Sequence, residues 1–337
     1  MRVPSIPPTV ATIVCLSAAL VAGAACGSPD AAPPAEETAV EEMSDREKIV
    51  GTYARVTSEV RDEDGMWSPT PGEDRHGYIT YSDRGYMAVS SRDNGRTKFA
   101  GDEPTPEEAQ AAIASYSAYY GPYTVNEAEG FVVHHRVGQI DPGGEVDAKR
   151  FYDFVGDRLI LTPAPAMGGK EDATRRIVWE RLPDVELSEE ARRFLGHREL
   201  LYTERYTRRD GEIVEVTEPN ESRAGAVIIY TPTGHMIVQL PDREGRMAYA
   251  GEDPTPEEAL AAFNSYGGYF GRFTVHEDED PRYVIHHQEG RLSPETEHDA
   301  QRFYALDGDI LRLGGPPQTT NGESTGGHLY WELMPQR

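Results

Sequence analysis

The sequence predicts an all-β protein with one inserted helix per domain, built as two tandem up-and-down antiparallel β-barrels. Three observations predict it: a domain-sized unit occurs twice, each unit carries eight or so short strand patterns, and each holds one strong helix signal. The duplication is explicit. Residues 101–109 (GDEPTPEEA) return as 251–259 (GEDPTPEEA), an offset of 150. After a two-residue insertion the offset is 152, and it holds from His134-His135 and His286-His287 to Trp179-Glu180 and Trp331-Glu332. Solenoid units are far shorter, so this is a duplicated domain. What both copies keep marks the positions that matter.

The copies span residues 45–183 and 188–335, joined by a short linker. Each opens with a helical lead-in and a strand, Gly51–Val56 or Gly196–Leu201. A hairpin follows, Gly77–Tyr81 with Tyr86–Val89 in copy one and Ala226–Tyr230 with His235–Val238 in copy two. Gly85 and Gly234 occupy the same place in the two turns, where positive φ is needed. Thr105 is an N-cap, Pro106 fits the first turn, and Glu107 and Glu108 face the positive end of the helix dipole. Ala109, Ala112, Ile113, Tyr116 and Tyr120 then predict a helix that Gly121 stops, repeated from Thr255 to Gly271. Strands are predicted at Pro122–Val125, Phe131–Val137, Lys149–Phe154, Arg158–Thr162 and Arg175–Leu182.

Residues 1–25 read as a signal peptide, with Arg2 as the only charge and an apolar run from Val10 to Ala25. Cys26 follows small residues, the setting of a lipidated mature N-terminus, although Gly23 stands where such motifs usually carry Leu. The expectation is an exported cell-envelope lipoprotein, with plain secretion as the alternative. Residues 26–44, rich in Ala, Pro and Glu, read as a disordered tether, so the membrane partner is the lipid anchor alone. The only cysteines are Cys15 and Cys26, which excludes disulfides, cysteine nucleophiles and thiolate zinc sites from both domains. Each domain must therefore stand on its core, for which about 140 residues suffice. A net charge of -25 repels phosphate backbones, so nucleic acid is not an expected partner.

The order Gly51-Thr-Tyr53, Gly77–Tyr81, Thr105–Glu108, Tyr119-Tyr-Gly121, His134-His135, Arg150-x-Tyr152 and Val178–Arg181 resembles the bacterial and fungal lipocalin-like domain family. Copy two resembles it through Tyr230, Gly234-His-Met236, Thr255–Glu258, its histidine pair, Arg302-x-Tyr304 and Trp331-Glu332. The resemblance covers nearly all of residues 45–335 and implies a small closed calycin-type barrel with an interior cavity. Many lipocalins open with Gly-x-Trp. Here that is Gly51-x-Tyr53 in copy one, and the aromatic is lost at Gly196-x-Arg198 in copy two.

Strand alternation divides each histidine pair between two faces. Phe131, Val133, His135 and Val137 form the bulkier apolar face, so His135 and His287 are expected inside the barrels. Arg150 and Tyr152, matched by Arg302 and Tyr304, are expected inside as well, with Tyr81, Met87, Tyr230 and Met236 lining core or pocket. An interior arginine must be paired or solvated. No acid is shared with it in both copies, so an anionic or carbonyl-bearing ligand fits as its partner. The cluster can orient the head of a small hydrophobic ligand, close the barrel structurally, or move protons in a cofactor-independent isomerase, cyclase or dehydratase. Adjacent strand histidines cannot chelate one ion, and no cofactor motif is present, so neither metal nor cofactor is expected.

Overall fold

The computed structural model describes residues 43–337, apart from 145, 295–297 and 321–322. The expected signal peptide, Cys26 and the expected tether up to residue 42 lie outside the described residues. In copy one, helix α1 (Asp45–Ile49) precedes β1 (Gly51–Arg61), β2 (Trp67–Pro69), β3 (Arg75–Tyr81) and β4 (Tyr86–Asp93). Helix α2 (Pro106–Ala114) leads to β5 (Tyr116–Asn126), β6 (Phe131–His135), β7 (Gly138–Gln139), β8 (Asp147–Val155), β9 (Arg158–Pro163) and β10 (Arg175–Arg181).

Copy two repeats the order. Helix α3 (Glu189–Arg192) is followed by β11 (Gly196–Arg209), β12 (Glu212–Val216), β13 (Val227–Tyr230) and β14 (His235–Pro241). Helix α4 (Pro256–Asn264) leads to β15 (Tyr266–His276), β16 (Tyr283–Arg291), β17 (His298–Asp307), β18 (Ile310–Gly314), β19 (Gln318–Thr320) and β20 (Glu323–Leu333). Antiparallel neighbours run in sequence order, and each sheet closes where its last long strand meets its first, β10 on β1 and β20 on β11. Closure removes the unpaired edges that would otherwise invite aggregation.

The expected long helix is a correction. Thr105 caps α2 through a full capping box, but the helix ends at Ala114, and Tyr116 and Tyr120 belong to β5. Copy two does the same at Asn264 and Tyr266. A spacing of four keeps two residues on one face of a helix and also on one face of a strand, so the tyrosines fitted both patterns. The hairpin glycines do adopt positive φ, +87° at Gly85 and +76° at Gly234.

Three apolar cores result. One fills barrel one with Ile49, Tyr53, Met87, Val132, Leu159 and Trp179 among others. A second fills barrel two around Phe194, Leu200, Met236, Val284 and Trp331. The third lies between the barrels, where Tyr78, Tyr116 and Tyr120 meet Ile229, Tyr266 and Phe270, and α2 packs on α4.

That interface follows the logic of a two-fold dimer, in which each half makes the same contact with the other. Arg96 donates to the carbonyls of Arg291, at 2.7 Å, and Leu292. Its counterpart Arg246 donates to those of Gln139 and Ile140, at 2.6 and 2.5 Å. Hydrogen bonds from a charged donor contribute about 1.5–3 kcal/mol each. The reciprocal pair therefore fixes the barrels against one another as well as any apolar contact does.

Candidate functional site

Alternation along β6 decides the site. Val132 and His134 are fully buried in barrel one, while the His135 side chain keeps 35% of its exposure on the outer wall. Barrel two agrees, with Val284 and His286 inside and His287 outside. The expected inward residues His135 and His287 are therefore corrected to His134 and His286. Bulk misled because the outer wall carries its own apolar patch. Phe131 meets Phe151 edge-on, and the Lys149 ammonium sits 3.9 and 4.8 Å from their ring centres. A lysine stem covers such rings while its charge stays in water.

Inside, both ring nitrogens of His134 are occupied. Nε2 lies 2.7 Å from the Tyr81 hydroxyl and Nδ1 3.0 Å from that of Tyr119. His286 repeats this with Tyr230 at 2.8 Å and Tyr269 at 3.0 Å. Burial, reinforced by the Arg150 charge, pushes the His134 pKa well below its usual value, and burial with Arg302 brings His286 down to about 3. Burial drives Tyr81 and Tyr230 well above the usual phenol range. The pairs His134–Tyr81 and His286–Tyr230 are thus uncharged at neutral pH. A neutral imidazole donates from one nitrogen and accepts at the other, so one flanking tyrosine accepts and keeps its own O–H for a further partner.

Arg150 and Arg302 complete the clusters. Arg150 sits opposite Val132 and Arg302 opposite Val284, so both point inward. Arg150 donates to the carbonyl of Lys149, and Arg302 to that of Gln301 and to the Tyr269 hydroxyl. Among the described residues no carboxylate pairs with either guanidinium. Tyr119, Arg150 and Ile177 face inward yet are only partly buried, as are Tyr269, Arg302 and Leu329. Those matched triplets mark the accessible end of each barrel. Beneath them Trp179 and Trp331 each hold a buried indole N–H without a partner.

The other predicted residues separate from this cluster. Tyr152 faces inward but lies at the opposite end, where its hydroxyl donates to Asp45 of α1 at 3.1 Å. Tyr304 packs edge-on against Phe194, next to α3, at 4.9 Å. Met87 and Met236 are fully buried core residues. On the outer wall His135 bridges Thr124 (3.0 Å) and Asp147 (2.8 Å), and His287 bridges Thr274 (3.0 Å) and Asp299 (2.7 Å). Each is a polar row across three strands and touches no interior group.

Sequence reasoning missed Tyr119 and Tyr269 by placing them in a helix. One signal was available: these tyrosines are identical in the two copies while their neighbours Tyr120 and Phe270 differ. Gly121 and Gly271 follow, and a Cβ on either would lie 1.9 Å from the carbonyl oxygen of His135 or His287. Only glycine lets β5 and β15 run this close to the histidine strands.

A family model for the lipocalin-like domain matches residues 50–182 and again residues 203–334. The chain belongs to the lipocalin-like domain family. Each match falls within one barrel, so the lipocalin-like unit is present twice. No curated protein matches the chain. Among solved structures, a protein of unknown function from the DUF3598 family of Nostoc punctiforme is similar over 87% of this chain and 100% of its own. Its identity is 10% and its TM-score 0.21, a likeness too weak to carry any argument.

Proposed function

We propose that each lipocalin-like barrel binds a small, mostly apolar molecule by a carboxylate or carbonyl head, held at Arg150 and Tyr119 in barrel one and at Arg302 and Tyr269 in barrel two. The carrying observation is the matched pair of interior guanidiniums that, among the described residues, have no carboxylate partner. A charge held inside a barrel wall needs a counter-group or water, and each stands beside a Tyr-His-Tyr relay that orients a donor. Two orphaned indole N–H groups deepen the same demand. Decanoate, with decanol as the neutral control, is the probe. Calorimetry and native mass spectrometry are expected to show up to two decanoates per chain. Equal affinity for decanol, or no binding of either, would sink the reading.

Catalysis by the same relay is the second reading, favoured by the ability of His134 to pass a proton between two tyrosines. His134→Gln distinguishes the two: an enzyme loses turnover while keeping its ligand, and a carrier only weakens.

The protein is also proposed to be exported and lipid-anchored at Cys26, on the strength of the apolar run before it. Labelling with a palmitate analogue tests this. Loss of label in Cys26→Ser supports it, and label on neither protein contradicts it.

A further inference from the structure

We propose that Gln239, a residue of barrel two, is a positioning residue for the cluster of barrel one, so that the second barrel governs the ligand site of the first and not the reverse. The inference deepens the reading of that cluster as a ligand site and rests on it. Gln239 lies in β14 and is fully buried. Val238 beside it packs inside barrel two, so strand alternation turns Gln239 outward to barrel one. Its amide nitrogen lies 2.9 Å from the Val89 carbonyl and 3.2 Å from the Tyr119 carbonyl. Those two residues are register partners on β4 and β5. One amide from the other barrel therefore clamps the strand that carries Tyr119 to its neighbour.

The clamp is itself held in one orientation. Tyr266 of barrel two donates to the amide oxygen of Gln239 at 2.7 Å. A flipped amide would turn its oxygen towards two carbonyl oxygens and its N–H groups towards the phenol, losing every bond. The duplication shows that a barrel does not need this device. An offset of 149 pairs Tyr81 with Tyr230 and Met87 with Met236, and it places Ser90 opposite Gln239. Ser90 is also fully buried at the boundary, where its hydroxyl lies 3.2 Å from the Gln239 nitrogen. A serine hydroxyl sits much nearer its own backbone than a glutamine amide. Among the described residues Ser90 makes no hydrogen bond to Val238 or Tyr269, the counterparts of Val89 and Tyr119. The clamp runs one way.

What the clamp controls follows from the other end of Tyr119. Its hydroxyl is 3.0 Å from His134 Nδ1, and its ring lies 4.2 Å from the Arg136 guanidinium. The carbonyl held by Gln239 and the phenol held by His134 belong to one residue, so a shift of the strand carries the ring with it. A displacement of about 0.5 Å takes the 3.0 Å bond outside the normal range. The His134–Tyr81 bond, at 2.7 Å, reaches β3 and lies away from the clamp. Losing Gln239 is therefore felt first at Nδ1.

The test uses the whole chain with 15N-labelled histidine and follows the ring nitrogens by NMR in Gln239→Leu and Gln239→Met. The methionine keeps the length of the side chain without its amide, and melting curves confirm that each variant folds. Both are expected to move His134, more at Nδ1 than at Nε2, and to leave His286 unmoved. Ser90→Ala, which spares both carbonyl contacts, is expected to move neither ring. Decanoate is then titrated with barrel two silenced by Arg302→Leu, and adding Gln239→Met is expected to weaken binding about tenfold. With barrel one silenced by Arg150→Leu, the same change is expected to leave the affinity as it was. The proposal is overturned if His134 stays in place in the folded variants, or if His134 and His286 move alike, as a general loosening would make them. Unchanged decanoate affinity at barrel one overturns it as well. A wild-type chain that binds no decanoate refutes the ligand reading of the barrels, and the His134 shifts then decide the positioning role by themselves.

Discussion

The two barrels share an interior cluster down to its distances, but they close their far ends with different residues. In barrel one Tyr53 packs beneath Arg181, 4.8 Å from ring centre to guanidinium, and both reach the carbonyls that end α1. In barrel two those paired positions hold Arg198 and Leu333. The guanidinium has changed strands, and Arg198 now donates to the carbonyls of Phe194, Arg193 and Asp309 at 3.3, 2.8 and 2.6 Å. What a closed end requires is a buried donor for orphaned helix carbonyls, and either strand can supply it. The cluster at the accessible end has not drifted in this way. His, two Tyr and Arg stand on the same strands in both copies.

The largest expected effect comes from removing the single side chain that closes the far end of barrel two. Arg198→Leu strands three carbonyls and is expected to cost about 3–5 kcal/mol of stability by urea unfolding. The comparison also predicts a rescue. Arg181→Leu alone destabilises barrel one, whereas Tyr53→Arg with Arg181→Leu recreates the barrel-two pair and is expected to recover at least half of the loss. A double variant no more stable than the single would show that the two closures are not interchangeable.

A smaller effect distinguishes buried from exposed histidines. His134, His197 and His286 are neutral in the folded protein and titrate normally once unfolded, at a pKa of about 6.5. The unfolded chain therefore binds more protons below that pH. Stability is full above about pH 6.5 and falls as pH drops towards 3, by about 1.4 kcal/mol per unit for each histidine. Unfolding at pH 5 is expected to take up about three protons, one fewer in His197→Phe. A stability profile flat from pH 7 to 4.5 would contradict the burial of these rings.

The barrel architecture was readable because duplication and strand alternation act locally and repeat. The N-caps Thr105 and Thr255 and the turn glycines 85 and 234 could be placed for the same reason. The inward face of β6 was not readable. Its choice depends on partners distant in sequence: Tyr81 and Tyr119 accept the polar His134, while Lys149 shields Phe131 outside. Helix and strand also coincide at a spacing of four, so Tyr119 could not be assigned before β5 was seen to pair with β4 and β6. The interface was hidden for a related reason. Arg96 and Arg246 look like ordinary loop arginines until the other barrel presents its carbonyls.

The central claim is that the interior arginines hold a ligand head, one in each barrel. Counting bound decanoate by calorimetry in Arg150→Leu, Arg302→Leu and the double variant tests it most directly. The account predicts that each single change removes one site or weakens it at least tenfold, about 1.4 kcal/mol, and that the double change abolishes binding. An unchanged stoichiometry and affinity in the folded double variant would contradict it.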